Sequence, residues 1–132
     1  MLHEFVLYLE IGRDRPVVNI NLNNQRILPE IEWNKDSFGN ISINFRAVLQ
    51  KQNMINIVFN NATSPIKIKD IVINGIKLGL VLFLCTTVSG KQDTQINSDG
   101  QLDIAINTPI WSWWCAKLNS FNYEDYPLGT IG

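Results

Sequence analysis

The chain has 132 residues, of which 45% are hydrophobic and 17% charged, and its formal net charge is -1. This length suits one domain with its own core, and the excess of apolar over charged residues excludes a disordered chain. The near-zero net charge excludes a strong attraction to nucleic acid or to an anionic membrane surface. We therefore expect a single domain over residues 1–132 that binds no nucleic acid.

The first half of the chain alternates apolar and polar residues with a period of two, which is the pattern of β-strands that bury one face. In residues 41–49, Ile41 and Ile43 point one way and Ser42 points the other. The same alternation predicts strands over residues 5–10, 18–22, 27–33 and 55–59. Antiparallel sheets with one face on a core and one face in water have this pattern.

Turn-forming residues separate the predicted strands. Asn23 and Asn24 tolerate a positive φ, so we expect a tight hairpin between the strands that flank them. Asn74-Gly75 is a second turn signal of this kind. Pro29 has no backbone N–H to donate, which predicts an edge strand or a bulge within residues 27–33.

The middle of the second half is less regular. Residues 76–85 are almost entirely apolar and predict a central strand that is covered on both faces, with a short helix as the competing interpretation. Residues 88–100, the longest polar stretch, are predicted to form an exposed loop. Leu102, Ile104 and Ile106 alternate with polar neighbours and predict another strand.

The C-terminal part is rich in aromatic residues. Residues 110–118 are predicted as a strand in which Trp111, Trp113 and Cys115 share one face, followed by an irregular tail over residues 118–132. This makes about eight short strands at intervals of roughly ten residues. The predicted fold class is all-β, a single antiparallel β-sandwich, with a jelly-roll-like arrangement favoured over a barrel.

Export and membrane insertion leave no visible signal in this sequence. Residues 1–4 contain no basic segment followed by an apolar one, so we see no secretory signal. Residues 76–85 are the longest apolar stretch and have about half the length of a membrane-spanning helix. We therefore expect a soluble protein made in a cytoplasm, with Cys85 and Cys115 as buried thiols; a single disulfide between them is the alternative.

Catalytic constellations are missing from the sequence. The only histidine is His3, in a segment expected to fray, so a serine triad is not expected. The remaining enzymatic option is a pair of carboxylates. Glu30 and Glu32 should share a strand face, and Asp93, Asp99 and Asp103 lie around the long polar stretch. Because such acids are usually solvent-exposed surface charges, we expect no catalytic residue and no enzymatic activity.

Calcium is the cofactor that the acids would suit, because loop carboxylates and carbonyl oxygens are its usual ligands. The candidate ligands are Asp70, Asp93 and Asp99, with carbonyl oxygens from the loop at Asn60 and Asn61. No EF-hand spacing occurs in the sequence. We therefore expect no bound cofactor, and calcium is the alternative.

Aromatic side chains are the candidates for interaction. Trp33 ends a predicted strand, and Trp111, Trp113 and Trp114 form a dense cluster. Two of the clustered tryptophans are expected to pack in the core, and the remaining one should be exposed, where it can contact a sugar or a protein. Tyr123 and Tyr126 in the C-terminal tail are further candidates.

Residues 53–62, followed by residues 68–75, resemble the core of calcium-dependent xylan-binding carbohydrate-binding modules. Those modules carry a strand ending in Phe-x-Asn-Asp, then a loop, and then a strand reading Val-Asp-x-Ile-x-Val-Asn-Gly. This resemblance implies a β-sandwich that binds a glycan with the help of calcium.

A second resemblance covers more of the chain. Residues 15–23, residues 69–76 and the aromatic C-terminus through residues 126–129 resemble small β-sandwich proteins of tailed bacteriophage virions. The leading hypothesis is therefore a non-catalytic virion component: a capsid decoration, a tail subunit or a fibre-associated subunit. Its partners would be other virion proteins and copies of itself, contacted through edge strands and the tryptophan-rich end. The alternative is a glycan-binding β-sandwich module that recognises a cell-surface glycan.

Overall fold

The computed structural model describes residues 2–12, 15–33, 39–62, 64–97 and 99–119. In this part of the chain two antiparallel sheets pack together, which confirms the predicted β-sandwich, although it has twelve strands rather than about eight. The strands are β1 (Leu2–Glu10), β2 (Val17–Leu22), β3 (Gln25–Ile27), β4 (Glu30–Trp33), β5 (Asn40–Val48), β6 (Gln52–Asn60), β7 (Ile66–Ile73), β8 (Ile76–Lys77), β9 (Thr86–Val88), β10 (Lys91–Gln92), β11 (Gln95–Ile96) and β12 (Gly100–Asn107). The helices are α1 (Leu80–Cys85) and α2 (Ile110–Asn119).

Each sheet has six strands. Sheet A has the order β11-β7-β1-β5-β4, with β8 paired to β7, and sheet B has the order β10-β9-β12-β6-β2-β3. The chain crosses from sheet B to sheet A through Leu28 and Pro29, which separate the edge strands β3 and β4. The prediction of one strand over residues 27–33 is therefore wrong, because the chain leaves one sheet at Ile27 and enters the other at Glu30. Both strands next to Pro29 are edge strands, where a residue without an N–H interrupts no central ladder.

The core fills the space between the two inner faces. The alternation predicted for residues 41–49 is confirmed, because Ile41, Ile43 and Phe45 are buried while Ser42 lies on the outer face. Phe5 stacks on Phe45 across β1 and β5, with ring centroids 4.6 Å apart. The largest side chains that are less than 2% exposed come from both sheets: Phe5, Phe59, Leu7, Leu9, Ile20, Ile43, Ile55, Ile57, Ile66, Ile68, Ile71 and Ile73.

Both predicted tight turns are present. Asn23 and Asn24 have φ values of 50° and 67°, and they connect β2 to β3. Asn74 and Gly75 have φ values of 49° and 79°, and they connect β7 to β8. Two consecutive positive φ values match the right-handed twist of the flanking strands, which is why Asn and Gly occupy these positions.

The prediction of a central strand over residues 76–85 is wrong, and the competing helix is correct for most of this segment. Strand β8 has only two residues, and the apolar run continues as α1. Gly79 precedes the helix with φ 55° and ψ -124°, a conformation that side chains with a Cβ rarely adopt. The segment is continuously apolar because α1 is itself covered, with Val81, Leu82 and Phe83 buried.

The prediction of a strand over residues 110–118 is also wrong, since these residues form most of α2. Ile110 and Trp113 are buried, and residues three apart lie on the same side of a helix. The helix has ten residues, which is shorter than the window in which a helical period is recognised. Neither described helix is long and apolar enough to cross a membrane.

The predicted exposed loop over residues 88–100 is only partly correct. It contains the short strands β10 and β11, and β11 pairs with β7 at the edge of sheet A. Thr94 and Ile96 are buried, and the N–H of Ile68 donates to the carbonyl of Thr94 at 2.8 Å. Ile96 and Thr94 thus anchor this segment to the edge of sheet A. Residues 118 and 119, predicted as the start of an irregular tail, belong to α2, and residues 120–132 lie outside the described residues.

Candidate functional site

The two helices cover one end of the sandwich. Thr108, just before α2, donates from its N–H to the carbonyl of Lys51 at 3.0 Å and from its hydroxyl to the carbonyl of Gln50 at 2.8 Å. These carbonyls lie in the connection between β5 and β6, so α2 begins at that end of the sheets. The indole N–H of Trp114 donates to the carbonyl of Leu78 at 3.1 Å, which ties α2 to the residues that lead into α1.

The three tryptophans of α2 have different environments. Trp113 is buried against the core, and Trp114 is half-buried. Trp111 is 60% exposed, and its ring stacks on that of Trp114 with centroids 5.3 Å apart and an interplanar angle of 23°. The prediction that at least one clustered tryptophan is exposed is therefore confirmed. Which tryptophan is exposed follows from the spacing of side chains around a helix, and not from the alternation of side chains along a strand.

Trp33 is separated from this cluster. It ends β4 opposite Ile41 at the start of β5, whereas α2 begins beside the turn that follows Val48 at the other end of β5. The distance along β5 between these two points is about 23 Å at about 3.3 Å per residue. Trp33 is half-buried, and the guanidinium of Arg15 lies over its ring, 4.8 Å from the centroid. Tyr123 and Tyr126, the other predicted interaction residues, lie outside the described residues.

The carboxylates Glu30 and Glu32 share the outer face of sheet A, as the strand pattern predicted. Both are exposed, and they line an open groove of about 660 Å³ together with Glu4 and Arg46. Arg46 forms an ion pair with Glu4 at 2.7 Å. The exposed acids of this groove have the environment of ordinary surface charges.

The three aspartates around the long polar stretch have different surroundings. Asp93 accepts from the N–H groups of Thr94 at 2.7 Å and Gln95 at 3.1 Å. Asp99 accepts from the N–H of Ala62 at 2.7 Å. Asp103 lies in β12 on the outer face of sheet B. Within the described ranges, no three His, Cys, Asp or Glu side chains come together in a way that could hold a metal ion.

Asp70, the remaining calcium candidate, is buried and holds the backbone in place. Its carboxylate accepts from the N–H groups of Ile71 at 2.7 Å and Gly79 at 3.2 Å, and Lys77 lies 3.7 Å away. Asp70 thereby fixes the position from which the chain leaves β8 and enters α1. His3 also differs from expectation: it lies in β1 opposite Ala47 and is half-buried, rather than in a frayed end.

Both cysteines are free thiols, and Cys85 at the end of α1 is buried, as expected for a small apolar side chain. Burial raises the pKa of the Cys85 thiol to about 12, although the hydroxyl of Thr86 and the charge of Lys117 act in the opposite direction. Cys115 in α2 is half-buried rather than buried.

A feature that sequence reasoning missed is the composition of the outer face of sheet B. Several of its outward positions carry carboxamide side chains, whereas charged side chains are more frequent on the outer face of sheet A. We call this surface the amide face and define it as Asn19, Asn21, Asn56, Gln101 and Asp103. Asn19, Asn21 and Asn56 stand at alternate positions of predicted strands. This pattern is visible in the sequence, but the pairing of the strands is not.

Comparisons of the chain with protein-family models, with curated proteins and with solved structures gave no match. The site is therefore described by its own geometry: an exposed indole stack on a helix at one end of the sandwich, and a face of amide side chains on sheet B.

Proposed function

We propose that this chain is a non-catalytic structural or attachment protein of a tailed-phage virion, such as a capsid decoration, a tail subunit or a fibre-associated subunit. It acts by contacting other virion proteins and copies of itself. The observation that carries this proposal is the exposed stack of Trp111 on Trp114. The likeness of residues 15–23 and 69–76 to virion sandwich proteins supplies the biological setting.

The indole stack has the properties of a protein-binding anchor. Trp113 and the hydrogen bond of Trp114 hold α2 against the core, so Trp111 is presented by a fixed helix and loses little freedom on binding. Tryptophan is enriched among the residues that carry most of the binding energy in protein interfaces. Short edge strands, such as β4 and β10, offer backbone groups for additional contacts.

Trp111→Ala tests the proposal. We expect the purified chain to self-associate in sedimentation velocity or to cosediment with the phage particles whose genome encodes it, and we expect mass spectrometry to find it in those particles. Trp111→Ala should weaken the association by about tenfold or more, as for other interface tryptophans. Leu28→Ala is the matched control, because Leu28 is 82% exposed but lies on the crossing between β3 and β4. A chain that stays monomeric, is absent from particles and binds none of their proteins would contradict the proposal.

A second candidate function is glycan binding, and the same indole supports it, because a flat exposed aromatic ring can stack on the apolar face of a sugar. The ligand would be a cell-surface glycan, and calcium is the cofactor to test. We expect binding on a glycan array, measured with and without a calcium chelator. Silence in both conditions would contradict this candidate and would leave the virion proposal untouched.

A further inference from the structure

We propose that the amide face of sheet B binds a neutral glycan, with Asn21 and Asn56 at the centre of the site. This inference rests on the glycan-binding candidate above and assigns that function to a surface other than the tryptophan stack. The amide face and α2 belong to different parts of the fold, so substitutions can separate the two sites.

The strand register places the polar side chains in a continuous row. Thr87 in β9 lies opposite Asp103 in β12, and Asp103 lies opposite Asn56 in β6. Asn56 lies opposite Asn21 in β2, and Asn21 lies opposite Arg26 in β3. Neighbouring strands are about 4.8 Å apart, so the row crosses five strands over about 19 Å.

A second row runs beside the first. Asn19 lies opposite Val58, and Val58 lies opposite Gln101. On the other side of the first row, Met54 is 43% exposed and lies opposite Ala105. Small apolar patches therefore border the amide groups, and such patches can contact the C–H groups of a sugar ring.

Sheet stability does not explain this composition. Asparagine is depleted in strands, where β-branched and aromatic residues are preferred, yet it occupies outward positions of the central strands β2 and β6. The outer face of sheet A also carries an amide, Asn44, but it includes long charged side chains in ion pairs, such as Glu4 with Arg46 and Glu10 with Lys69. The preference of strands for β-branched and aromatic residues therefore does not account for the amide groups of sheet B.

Part of the face is already ordered by hydrogen bonds. Asp103 accepts from the side-chain amides of Asn56 and Gln101, both at 2.6 Å. The side chains of Asn19 and Asn21 are half-buried, yet they make no hydrogen bond to any described residue. The side-chain donors and acceptors of Asn19 and Asn21 are therefore available to a ligand.

The chemistry of the face favours a neutral polyhydroxylated ligand. A carboxamide presents both a donor and an acceptor, as a sugar hydroxyl does, and a carboxylate accepts from hydroxyl groups. Asp103 and Arg26 are the charged members of the first row and have opposite signs, which gives little attraction to polyanions.

The test uses the double variant Asn21→Thr and Asn56→Thr. Threonine favours strands, so this variant should fold at least as well while losing both central amides. We expect the unchanged protein to bind members of an array of neutral oligosaccharides, with titration calorimetry on the strongest of them. The double variant should bind that oligosaccharide about tenfold more weakly or worse, because each lost hydrogen bond weakens binding several-fold.

The controls separate this site from the others. Asn44→Thr replaces a half-buried amide on the outer face of sheet A, and it should leave affinity unchanged, as should Trp111→Ala. Unchanged binding in the double variant, or loss of binding in Trp111→Ala alone, would overturn the inference. Absence of binding to any neutral glycan would overturn both the inference and the glycan-binding candidate. The virion proposal would still be tested separately by the particle-association experiment.

Discussion

Replacing Trp113 with alanine should lower the free energy of unfolding by about 3–5 kcal/mol, whereas Trp111→Ala should lower it by less than about 1 kcal/mol. Trp113 is only 8% exposed and fills the space between α2 and the core, so its removal leaves a cavity. Trp111 is 60% exposed and loses only its stack on Trp114. Urea titrations followed by far-ultraviolet circular dichroism would measure both changes.

This pair of variants also distinguishes a helix from a strand. In a strand, residues 111 and 113 would share a face, and the two substitutions would have similar effects. In α2 they point in different directions, so the effects should differ by several-fold. Ser112→Ala is a suitable control, because Ser112 is exposed and alanine favours helices. Equal losses from Trp111→Ala and Trp113→Ala would contradict the helical assignment.

The sheets were predictable where one face meets water and the other meets the core. In β5 every second residue is apolar, so the sequence itself reports which face is buried. The turns at Asn23-Asn24 and Asn74-Gly75 were predictable for a local reason, because these residues adopt positive φ at low cost.

The two helices were not predictable in the same way. In α1 nearly all residues are apolar, and a segment without alternation fits a buried strand as well as a buried helix. In α2 the tryptophans at 111 and 113 imitate strand alternation, and only the contact with the core reveals that Ile110 and Trp113 share the buried side. In both cases tertiary contacts decide the conformation.

The candidate sites depend on long-range pairing, which a single sequence does not contain. Trp33 and Trp111 were both interaction candidates, and only the strand register shows that β4 places Trp33 beside one end of β5 while α2 begins near the other end. Likewise, Asn21 and Asn56 are visible as amides in strands, but their adjacency follows from the pairing of β2 with β6. Sequence alone can therefore predict the residue types of a face but not its layout.

Cys85 in the folded protein should react with a thiol reagent roughly a thousandfold more slowly than in the unfolded protein at pH 8. The reactive species is the thiolate, and burial raises the pKa of the Cys85 thiol from 9.0 to about 12. The thiol also donates to the carbonyl of Leu82 at 3.4 Å, and this bond exists only in the neutral form. Cys115→Ser protein isolates this reaction, measured with and without urea.

The reverse variant, Cys85→Ala, provides the matched measurement. Its remaining thiol, Cys115, is half-buried and lies in α2, so it should react faster than Cys85 without prior unfolding. Mass spectrometry of the labelled protein would identify which residue has reacted. Similar rates for Cys85 in the folded and unfolded protein would show that α1 does not shield it.

The raised pKa of Cys85 also predicts the direction in which stability changes with pH. Because the folded state holds the thiol proton more tightly than the unfolded state does, the stabilising contribution is complete below pH 9.0 and is lost as the pH rises toward about 12. The free energy of unfolding should therefore fall above pH 9.0, by up to about 1.4 kcal/mol per pH unit from this residue. Cys85→Ala should remove that part of the slope, since it leaves no group at this position to ionise. If the free energy of unfolding fell equally steeply above pH 9.0 in the unchanged protein and in Cys85→Ala, the Cys85 thiol would be in contact with water in the folded state.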